Sequence, residues 1–441
     1  MPTYYVERNG PLHGLVRLGG AKNVSYKLMI AALLGSEESR ILNFSKISDV
    51  DLVASVINDL GGRAYSAGER TMFIDPRGLK SADIPEKYGK GSRASTMFIA
   101  PLLHRFKSVR VPMPGGDKLG NRPLDRHTDF LEALGAKVEM QPGAMVVSAE
   151  KLVGITYRFS KNTHTGTETA IIAAAMAEGT TILENAAMEP EIDDLISFLN
   201  EMGARIRRRA HRVIEIEGVD RLGGAIHQIM SDQNEAVSYA VAALITKGDI
   251  IVENARHDHM EAFLEKLDEA GGGYEVGTYG IRFFYKQPLR AVDVVTEPHP
   301  GFKTDWQPVW SVLLTQAKGV SEIHEAVYTS RFQYADALRQ MGVELEMYNP
   351  EVQNPDRFYN FNAQDDKPEY KHAIKIHGPA HLKACEFTVP DLRAGATILI
   401  AGLIAEGTSM IHDTEKHVER GYEAITDRLN SMGAIIRKVE E

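Results

Sequence analysis

The chain of 441 residues is too long for one typical hydrophobic core, and its length predicts two or three domains. Its hydrophobic fraction of 43% and charged fraction of 25% are ordinary for a globular protein, and it contains no run of about 18 apolar residues that would suggest a membrane span. The net charge of -10 argues against nonspecific nucleic-acid binding, and the single cysteine, Cys385, excludes an internal disulfide. Because the N-terminal MPTYYVERNG lacks the layout of a signal peptide, we expect a cytoplasmic protein.

An apolar helical stretch, a glycine and a strand-like run recur in this order along the chain. We expect each glycine to follow its helix in the left-handed conformation, which is common after a last helical turn. The intervals between successive glycines range from 68 to 91 residues in the series Gly61, Gly135, Gly203, Gly271, Gly342 and Gly433. A second glycine, expected to cap an alanine-rich helix, lies 23 to 26 residues before four members of that series: Gly179, Gly248, Gly319 and Gly407.

These repeats predict how the chain divides into domains. One unit of about seventy residues is too small to bury both of its faces, so we predict two domains of three units each. The predicted domains are residues 22–230, and residues 1–21 together with 231–441. Two helical stretches, TAIIAAAMA (169–177) and ATILIAGLIA (396–405), are apolar on all sides. They predict an α/β protein in which the helices are buried.

The last repeat contains about twenty extra residues. The excess falls in residues 349–372, a polar tract rich in Asn, Asp and Pro that shows no periodicity. We interpret it as an inserted surface loop without a functional motif.

Positive side chains interrupt the apolar pattern at four places: Lys22 in GGAKN, Arg93 in GSRAST, Arg122 in GNRPLDRH and Arg420 in EKHVERGYE. If the two domains face each other across a cleft, these cations would suit a phosphorylated substrate, because guanidinium groups bind phosphate oxygens through paired hydrogen bonds. Asp305, in TEPHPGFKTDWQ, would then accept a proton from an acceptor hydroxyl. For Lys22 taken alone, a solvated lysine at a turn is the alternative.

Asp117 lies in the stretch VPMPGGDKLGNRPLDRH, residues 111–127. The Pro-Gly-Gly-Asp sequence is ordinary turn chemistry, because glycine supplies positive φ and aspartate bonds its own backbone. The alternative is a reactive carboxyl carried on a loop.

Three further patterns have a structural explanation and a functional one. Trp306 and Trp310 have the spacing of core residues in a helix, or would stack on a sugar. HDHM (257–260) is typical of a solvated loop, although two histidines could bind a metal. RIRRRAHR (205–212) is typical of a strand with a solvated face, and less so of a nucleic-acid interface.

The ordered motifs GGAKN, RAS, PGGDKLGNRPLDRH, AEGTTILENAAMEPEI, PHPGFKTD, SRF, DLRAGA and ERGYE resemble the enolpyruvyl transferases over essentially the whole chain. The resemblance implies a two-domain inside-out α/β barrel of six βαβ-type repeats, three per domain, with sheets outside and helices inside. It implies transfer of the enolpyruvyl group of phosphoenolpyruvate to the 3-hydroxyl of UDP-N-acetylglucosamine, with release of phosphate, at the start of peptidoglycan synthesis. It further implies a monomer or weak homo-oligomer whose partners are these small molecules, with no cofactor, nucleic acid or membrane partner.

The resemblance also implies roles for individual residues. Lys22, Arg122 and Arg420 match the cations that bind phosphoenolpyruvate, and Asp305 matches the proposed base on the sugar hydroxyl. Asp117 occupies the loop position at which most members carry a cysteine, the proposed acid. The positions that match contacts to the acceptor are Asn23, Arg93, Arg122, Pro123, Leu124, Asp125, Arg126, Lys161, Thr163, His164, Asp305 and Val327, and Arg331 and Arg393 match further arginines of the site.

The chain departs from the family pattern at Asp117, at Met97 where many relatives have tryptophan, in the tract 349–372, and in KNTHTGTETA (161–170), where Ser-Val-Gly-Ala is usual. Two alternatives therefore stay open. One is an enolpyruvyl transferase with another acceptor, such as a nucleotide or shikimate 3-phosphate. The other is a noncatalytic nucleotide-sugar sensor.

Overall fold

The computed structural model describes residues 2–89, 93–115 and 124–440, which form two compact units. The central unit comprises residues 19–89, 93–115 and 124–230. The terminal unit comprises residues 2–18 and 231–440, and so includes both ends of the described chain.

The strands are short, and their bounds follow in chain order. The terminal unit begins with β1 (Pro2–Glu7) and β2 (His13–Arg17). The central unit contains β3 (Ser39–Leu42), β4 (Arg63–Ala67), β5 (Thr71–Asp75), β6 (Ser108–Pro112), β7 (Lys137–Gln141), β8 (Ala144–Ser148), β9 (Thr156–Arg158), β10 (Thr180–Glu184), β11 (Arg205–Ala210), β12 (Val213–Glu217) and β13 (Ile226–Gln228). The terminal unit resumes with β14 (Asp249–Glu253), β15 (Gly273–Gly277), β16 (Gly280–Phe284), β17 (Val294–Val295), β18 (Gly319–His324), β19 (Leu345–Tyr348), β20 (Ala373–Gly378), β21 (Glu386–Thr388), β22 (Thr408–His412) and β23 (Ile435–Glu440).

The helices are numbered in the same way. The central unit contains α1 (Lys22–Ala31), α2 (Ser48–Asp59), α3 (Ile99–Phe106), α4 (Asp125–Ala133), α5 (His164–Ala174) and α6 (Pro190–Glu201). The terminal unit contains α7 (Gln233–Ile245), α8 (Glu261–Ala270), α9 (Gln307–Leu314), α10 (Ala335–Gln340), α11 (Pro355–Phe358), α12 (Leu392–Gly402), α13 (His417–Gly421) and α14 (Ile425–Ser431). None of these helices has the length and apolar composition needed to cross a membrane.

Within the described residues, each unit contains three sheets. The strand orders are β13-β3-β5-β4, β6-β8-β7 and β11-β12-β10-β9 in the central unit, and β15-β16-β14-β2, β17-β18-β20-β19 and β21-β22-β1-β23 in the terminal unit. In the last sheet the N-terminal strand β1 pairs antiparallel with both β22 and β23, so that Thr3 lies opposite Val439. The two ends of the chain therefore complete one sheet together.

The antiparallel hairpins differ in the length of their connections. Four of them, β4–β5, β7–β8, β11–β12 and β15–β16, turn within two or three residues. The corresponding pair β19–β20 is connected instead by residues 349–372. The tract that the sequence marks as an insertion thus takes the place of a hairpin turn.

The most apolar helices lie in the core of their unit. Every residue of α7 and α12 is buried, as are nine residues of the eleven-residue α5. The prediction of buried helices is therefore confirmed. Strands such as β14 and β22 alternate between buried and more exposed positions, so each has one face toward the core. Each fully buried Leu, Ile or Val side chain contributes about 1.5–3 kcal/mol to the stability of its unit.

The repeated glycines have the conformation that the sequence predicts. The six that follow α2, α4, α6, α8, α10 and α14 all have positive φ, between 81° and 107°. Three of the four second glycines do so as well, but Gly248 does not, because Lys247 takes the left-handed conformation in its place. Gly248 is needed for space instead, since a Cβ there would lie 2.3 Å from the carbonyl oxygen of Leu12.

The structural explanations of the smaller patterns also hold. Trp306 and Trp310 are fully buried and contact Phe263 edge to face, as core residues do. The arginine-rich stretch forms β11, in which Arg205 and Arg207 pair with acidic residues of β12.

Candidate functional site

Three of the residues singled out in the sequence, Asp117, Arg122 and Pro123, lie outside the described residues. Most of the others lie in or near the first turns of helices, where backbone N–H groups have no partner within the helix and attract anions. They are Lys22 and Asn23 in the first turn of α1, Leu124, Asp125 and Arg126 at α4, Thr163 and His164 at α5, Asp305 shortly before α9, Arg393 at α12, and Arg420 in α13. Arg93 begins a 3-10 helix, and Lys161, Val327 and Arg331 lie in loops.

In the terminal unit, Asp305 lies between two buried arginines. Nη2 of Arg331 donates to Oδ1 of Asp305 at 2.7 Å, and Nη2 of Arg393 donates to Oδ2 at 3.3 Å. Asp391 caps α12 and accepts a hydrogen bond from the backbone N–H of Arg393. This bond holds the backbone from which the Arg393 side chain extends. The Asp305 side chain is 29% exposed, whereas the two arginine side chains are 3% and 4% exposed. The carboxylate is therefore the accessible member of the group.

The arginines control the charge of Asp305. Burial alone would raise the pKa of its carboxyl, but Arg393, Arg331 and Lys303 outweigh burial and hold that pKa well below its usual value. Asp305 is thus ionised at neutral pH and is able to accept a proton. Nε of Arg331 and Nε of Arg393 are buried and donate no hydrogen bond to the described part of the chain. A buried donor without an acceptor is costly, so an anion that reached these nitrogens would be bound.

The loop that carries Val327 is tied to the segment before Asp305 by a buried acid, Glu325. Its Oε1 accepts hydrogen bonds from the backbone N–H groups of Val327 and Tyr328, each at 2.9 Å. Its Oε2 accepts one from Oγ1 of Thr304 at 2.8 Å. One carboxylate therefore fixes both the Val327 backbone and the residue next to Asp305.

Arg420 lies in the short helix α13 and is half-buried. Asp413 holds the start of this helix by accepting hydrogen bonds from the backbone N–H groups of His417 and Val418. After the helix, Glu235 of α7 accepts a hydrogen bond from the backbone N–H of Glu423 at 2.9 Å and contacts the guanidinium of Arg428. Burial raises the pKa of Glu235 to about 7, although Arg428 acts in the opposite direction.

In the central unit, Lys22 is the first residue of α1 and is buried. Its Nζ donates to Oδ2 of Asp49 at 2.8 Å and lies 5.5 Å from the centre of the Tyr26 ring. Asn23 follows it and is half-buried. This lysine is held in place by its carboxylate partner and the ring.

The starts of α4 and α5 lie beside each other. Nη1 of Arg126 donates to the backbone carbonyl of Asn162 at 3.2 Å, and Asp125 accepts a hydrogen bond from the backbone N–H of Arg126. Thr163 caps α5 by accepting a hydrogen bond from the backbone N–H of Gly166. The structure therefore brings the segments 124–126 and 161–164 together, as the resemblance implies for one ligand.

A buried ion pair lies just below this surface. Nζ of Lys27 in α1 is 2.7 Å from Oε2 of Glu168 in α5, and Nε2 of His164 is 3.2 Å from Oε1 of the same carboxylate. Burial would raise the pKa of Glu168, but Lys27 and His164 outweigh it and lower that pKa. Burial and Lys27 lower the pKa of His164, yet Glu168 outweighs both and raises it above its ordinary value of 6.5. Glu168 thus stabilises a cation at the start of α5.

A second histidine in the same region behaves differently. His127 is buried between Thr169, whose Oγ1 is 2.9 Å from its Nδ1, and Thr165, whose Oγ1 is 3.2 Å from its Nε2. Burial and the charge of Arg93 lower the pKa of His127 to about 4. His127 is therefore neutral at physiological pH, while His164 is the histidine whose charge is favoured.

Sequence reasoning missed several of these groups. Lys27 and Glu168 are opposite charges inside two apolar stretches, and this pattern could have predicted their pairing. No comparable signal points to Glu325, because its partners come from a loop and from a separate segment. The described residues contain no group of three or more His, Cys, Asp or Glu side chains placed to hold a metal ion.

Comparison with known proteins defines the class. The sequence model described as EPSP synthase (3-phosphoshikimate 1-carboxyvinyltransferase) matches residues 6–429. The chain therefore belongs to this family, the enolpyruvyl transferases.

Two curated relatives match over the full length of both chains. One is named UDP-N-acetylglucosamine 1-carboxyvinyltransferase, from Halothermothrix orenii, and is 36% identical over 440 residues. The other is named UDP-N-acetylglucosamine 1-carboxyvinyltransferase 3, from Caldanaerobacter subterraneus subsp. tengcongensis, and is 38% identical over 441 residues. Both alignments cover 100% of this chain and 100% of the relative.

Solved structures agree in fold. The enolpyruvyl transferase NikO from Streptomyces tendae superposes with a TM-score of 0.85 at 21% identity, and the alignment covers 99% of each chain. An EPSP synthase from Acinetobacter baumannii gives a TM-score of 0.73 at 19% identity over 100% of each chain. The mixed α/β fold is therefore that of the enolpyruvyl transferases.

The charge of His164 gives a pH-dependent prediction. A histidine whose folded-state pKa is raised stabilises the fold while it is protonated, and this contribution is lost as the pH rises through that folded-state pKa. We expect the loss of stability in His164→Gln, relative to wild type, to be greatest below about pH 6.5 and to diminish above it. Urea unfolding from about pH 5.5 to about pH 9 measures the difference. His211→Gln, at an exposed turn, is the control, and a difference for His164→Gln that did not vary with pH would contradict the prediction.

Proposed function

We propose that this protein transfers the enolpyruvyl group of phosphoenolpyruvate to the 3-hydroxyl of UDP-N-acetylglucosamine and releases phosphate, as the first committed step of peptidoglycan synthesis. The observation that carries this proposal is the full-length similarity to curated relatives that bear the corresponding name. The ion-paired carboxylate Asp305, accessible beside two buried arginines, supports the chemistry. The reaction needs no metal or redox cofactor, and we propose a cytoplasmic enzyme that is a monomer or a weak homo-oligomer.

The proposed architecture is the inside-out α/β barrel, with three repeats in residues 22–230 and three in residues 1–21 with 231–441. Three sheets in each unit, with helices such as α7 and α12 buried along their whole length, support it. Each of the six proposed repeats has a left-handed glycine at the end of a helix, which also supports a repeated architecture.

Asp305 is the proposed base. The 3-hydroxyl oxygen of the sugar attacks carbon 2 of phosphoenolpyruvate while Asp305 accepts the hydroxyl proton, and an acid delivers a proton to carbon 3. The resulting tetrahedral ketal then loses a proton from carbon 3, and the bond between carbon 2 and the phosphate oxygen breaks. The products are the enol ether and phosphate.

The two arginines would make the basicity of Asp305 depend on the substrate. While Arg331 and Arg393 donate to its oxygens, Asp305 is ionised but weakly basic, because its pKa is held low. A carboxylate or phosphate that bound the same guanidinium groups would weaken this effect and bring a negative charge nearby. Both changes raise the pKa of Asp305, so the base would strengthen when the anionic substrate is present.

The remaining roles are those that the family resemblance implies. We propose that Lys22, Arg122 and Arg420 bind the carboxylate and phosphate of phosphoenolpyruvate and stabilise charge in the transition state. Asp117 is the proposed acid at carbon 3. The proposed acceptor contacts are Asn23, Arg93, the segment 122–126, Lys161, Thr163, His164 and Val327.

The contacts of residues 161–170 are also compatible with a second kind of acceptor. In the unusual segment 161–170, Thr163 caps α5, Thr165 contacts His127, and His164 lies against Glu168. A cationic His164 would suit the diphosphate of a nucleotide sugar, but it would also suit another phosphorylated acceptor. An enolpyruvyl transferase acting on a nucleotide is therefore the alternative.

The proposed function predicts acceptor-dependent phosphate release. Purified protein with phosphoenolpyruvate and UDP-N-acetylglucosamine should release one phosphate for each enolpyruvyl sugar formed, because the elimination step couples the two products. Colorimetric phosphate assay and mass spectrometry measure them. Shikimate 3-phosphate and a free nucleotide are the comparison acceptors. If phosphate were released only when the acceptor is a nucleotide, the alternative acceptor would be favoured. If no acceptor led to phosphate release, a noncatalytic sensor would be favoured.

Replacing the proposed base should abolish most turnover. Asp305→Asn keeps the shape of the side chain but cannot accept the proton, so we expect kcat to fall by about 10²- to 10⁴-fold. The matched control is Asp336→Asn, because Asp336 is an exposed aspartate that also pairs with an arginine, Arg339. Steady-state kinetics, together with a thermal unfolding check, measure the effect. A near-wild-type kcat in Asp305→Asn would contradict the assignment.

The proposed role of Asp117 predicts how the enzyme responds to fosfomycin. Asp117→Ala should lose turnover, whereas Asp117→Cys should retain it and become sensitive to fosfomycin, an epoxide that alkylates thiols. Wild-type enzyme should resist, because position 117 has no thiol and burial raises the pKa of Cys385 to about 11, which keeps that thiol protonated. Residual activity and intact mass after fosfomycin treatment test this. Labelling of the wild-type protein would overturn it.

A further inference from the structure

The tract 349–372 is more than a surface loop. Most of its residues are exposed, as the sequence predicts, but Tyr359, Phe361 and His372 are buried. The rings of Tyr359 and Phe361 stack with centroids 4.7 Å apart, and both pack with Ala326 in a small apolar cluster. A tract that replaces a two- or three-residue turn thus has a core of its own, and that core includes a residue beside Val327.

The tract bonds to three consecutive residues at the end of β18. The hydroxyl of Tyr359 lies 3.1 Å from Nε2 of His324. The backbone N–H of Glu325 donates to the carbonyl of His372 at 2.7 Å, and the backbone N–H of Asn360 donates to the carbonyl of Ala326 at 2.7 Å. Side-chain and backbone contacts together therefore determine where residues 324–326 lie.

Glu325 connects residues 324–326 to the candidate site through its hydrogen bonds. It accepts hydrogen bonds from the backbone N–H groups of Val327 and Tyr328. The guanidinium of Arg331, which binds Asp305, lies 5.7 Å from the centre of the Tyr328 ring. Among the described residues, none donates a hydrogen bond to the carbonyl oxygen of Val327.

We infer that residues 349–372 are a positioning element for the acceptor: through Tyr359, Asn360 and His372 they hold the 324–328 loop so that the Val327 carbonyl meets the sugar. This inference rests on the proposed function, which assigns the acceptor contact to Val327. The tract bonds to residues 324–326, next to Val327, so we expect its effect to fall on acceptor binding more than on the chemical step.

The main test compares Tyr359→Ala with Tyr359→Phe. The first removes the ring stack and the hydroxyl, and the second removes the hydroxyl alone. We expect Tyr359→Ala to raise KM for UDP-N-acetylglucosamine on the order of tenfold, the worth of one well-placed hydrogen bond. KM for phosphoenolpyruvate and kcat should stay near wild type, and Tyr359→Phe should recover most of the acceptor affinity.

The matched control is Tyr274→Ala. Tyr274 is a half-buried tyrosine on β15, in another sheet of the same unit, and its hydroxyl donates a hydrogen bond to the side chain of Asp268. General destabilisation would raise KM for both substrates, whereas a loss of loop position would raise KM for the acceptor alone. A rise in the acceptor KM confined to Tyr359→Ala supports the inference, whereas an equal rise in both variants, or an equal rise for both substrates, overturns it.

Hydrogen exchange separates this inference from the proposed function. The amides of Val327 and Tyr328 should exchange faster in Tyr359→Ala than in Tyr359→Phe or wild type, because the loop that holds Glu325 loses its support. Unchanged exchange overturns the inference even if the enzyme is active. If wild-type protein neither turns over nor binds UDP-N-acetylglucosamine in calorimetry, the proposed function fails, and the acceptor role of the tract fails with it.

Discussion

The structure depends on the burial of helices that are apolar on every side. A helix with one apolar stripe can lie on the surface of a sheet, but α7 and α12 are largely apolar beyond their first turns and are buried along their whole length. The helices α9 and α12 and the strands β14 and β16 contact α7, and β14 keeps its more exposed residues on the face away from the core. This arrangement leaves helix starts as the places where a buried helix can present polar groups. The candidate residues of α1, α4, α5 and α12 all lie there.

The same burial determines how charge is managed. A charge inside such a core is tolerated only with a partner, and Lys27 with Glu168, and Glu235 with Arg428, satisfy this requirement. Near the surface the pairing is less complete. Arg331 and Arg393 share one carboxylate, Asp305, and each keeps a buried Nε without a partner in the described residues. The excess positive charge therefore lies at Asp305, the proposed base.

The tract 349–372 shows how a fold of repeats can acquire a local specialisation. Lengthening a hairpin turn leaves the pairing of β19 with β20 intact, so the sheet tolerates it. The added residues then fold back on the neighbouring strand end, at Ala326 and His324. A change in the connection of one sheet thereby reaches the loop that carries Val327 without any change in the repeat itself.

The sequence by itself determined the recurring glycines that end helices and the burial of the apolar helices, because each of these depends on local periodicity or on one residue's conformational freedom. It also determined where the insertion lies. It did not determine the partners of Asp305, the role of Glu325 or the inward packing of Tyr359, because those contacts join residues that are distant in the chain. Only tertiary structure decides such contacts, since a buried carboxylate takes its charge and its orientation from whichever groups the fold brings within hydrogen-bonding distance.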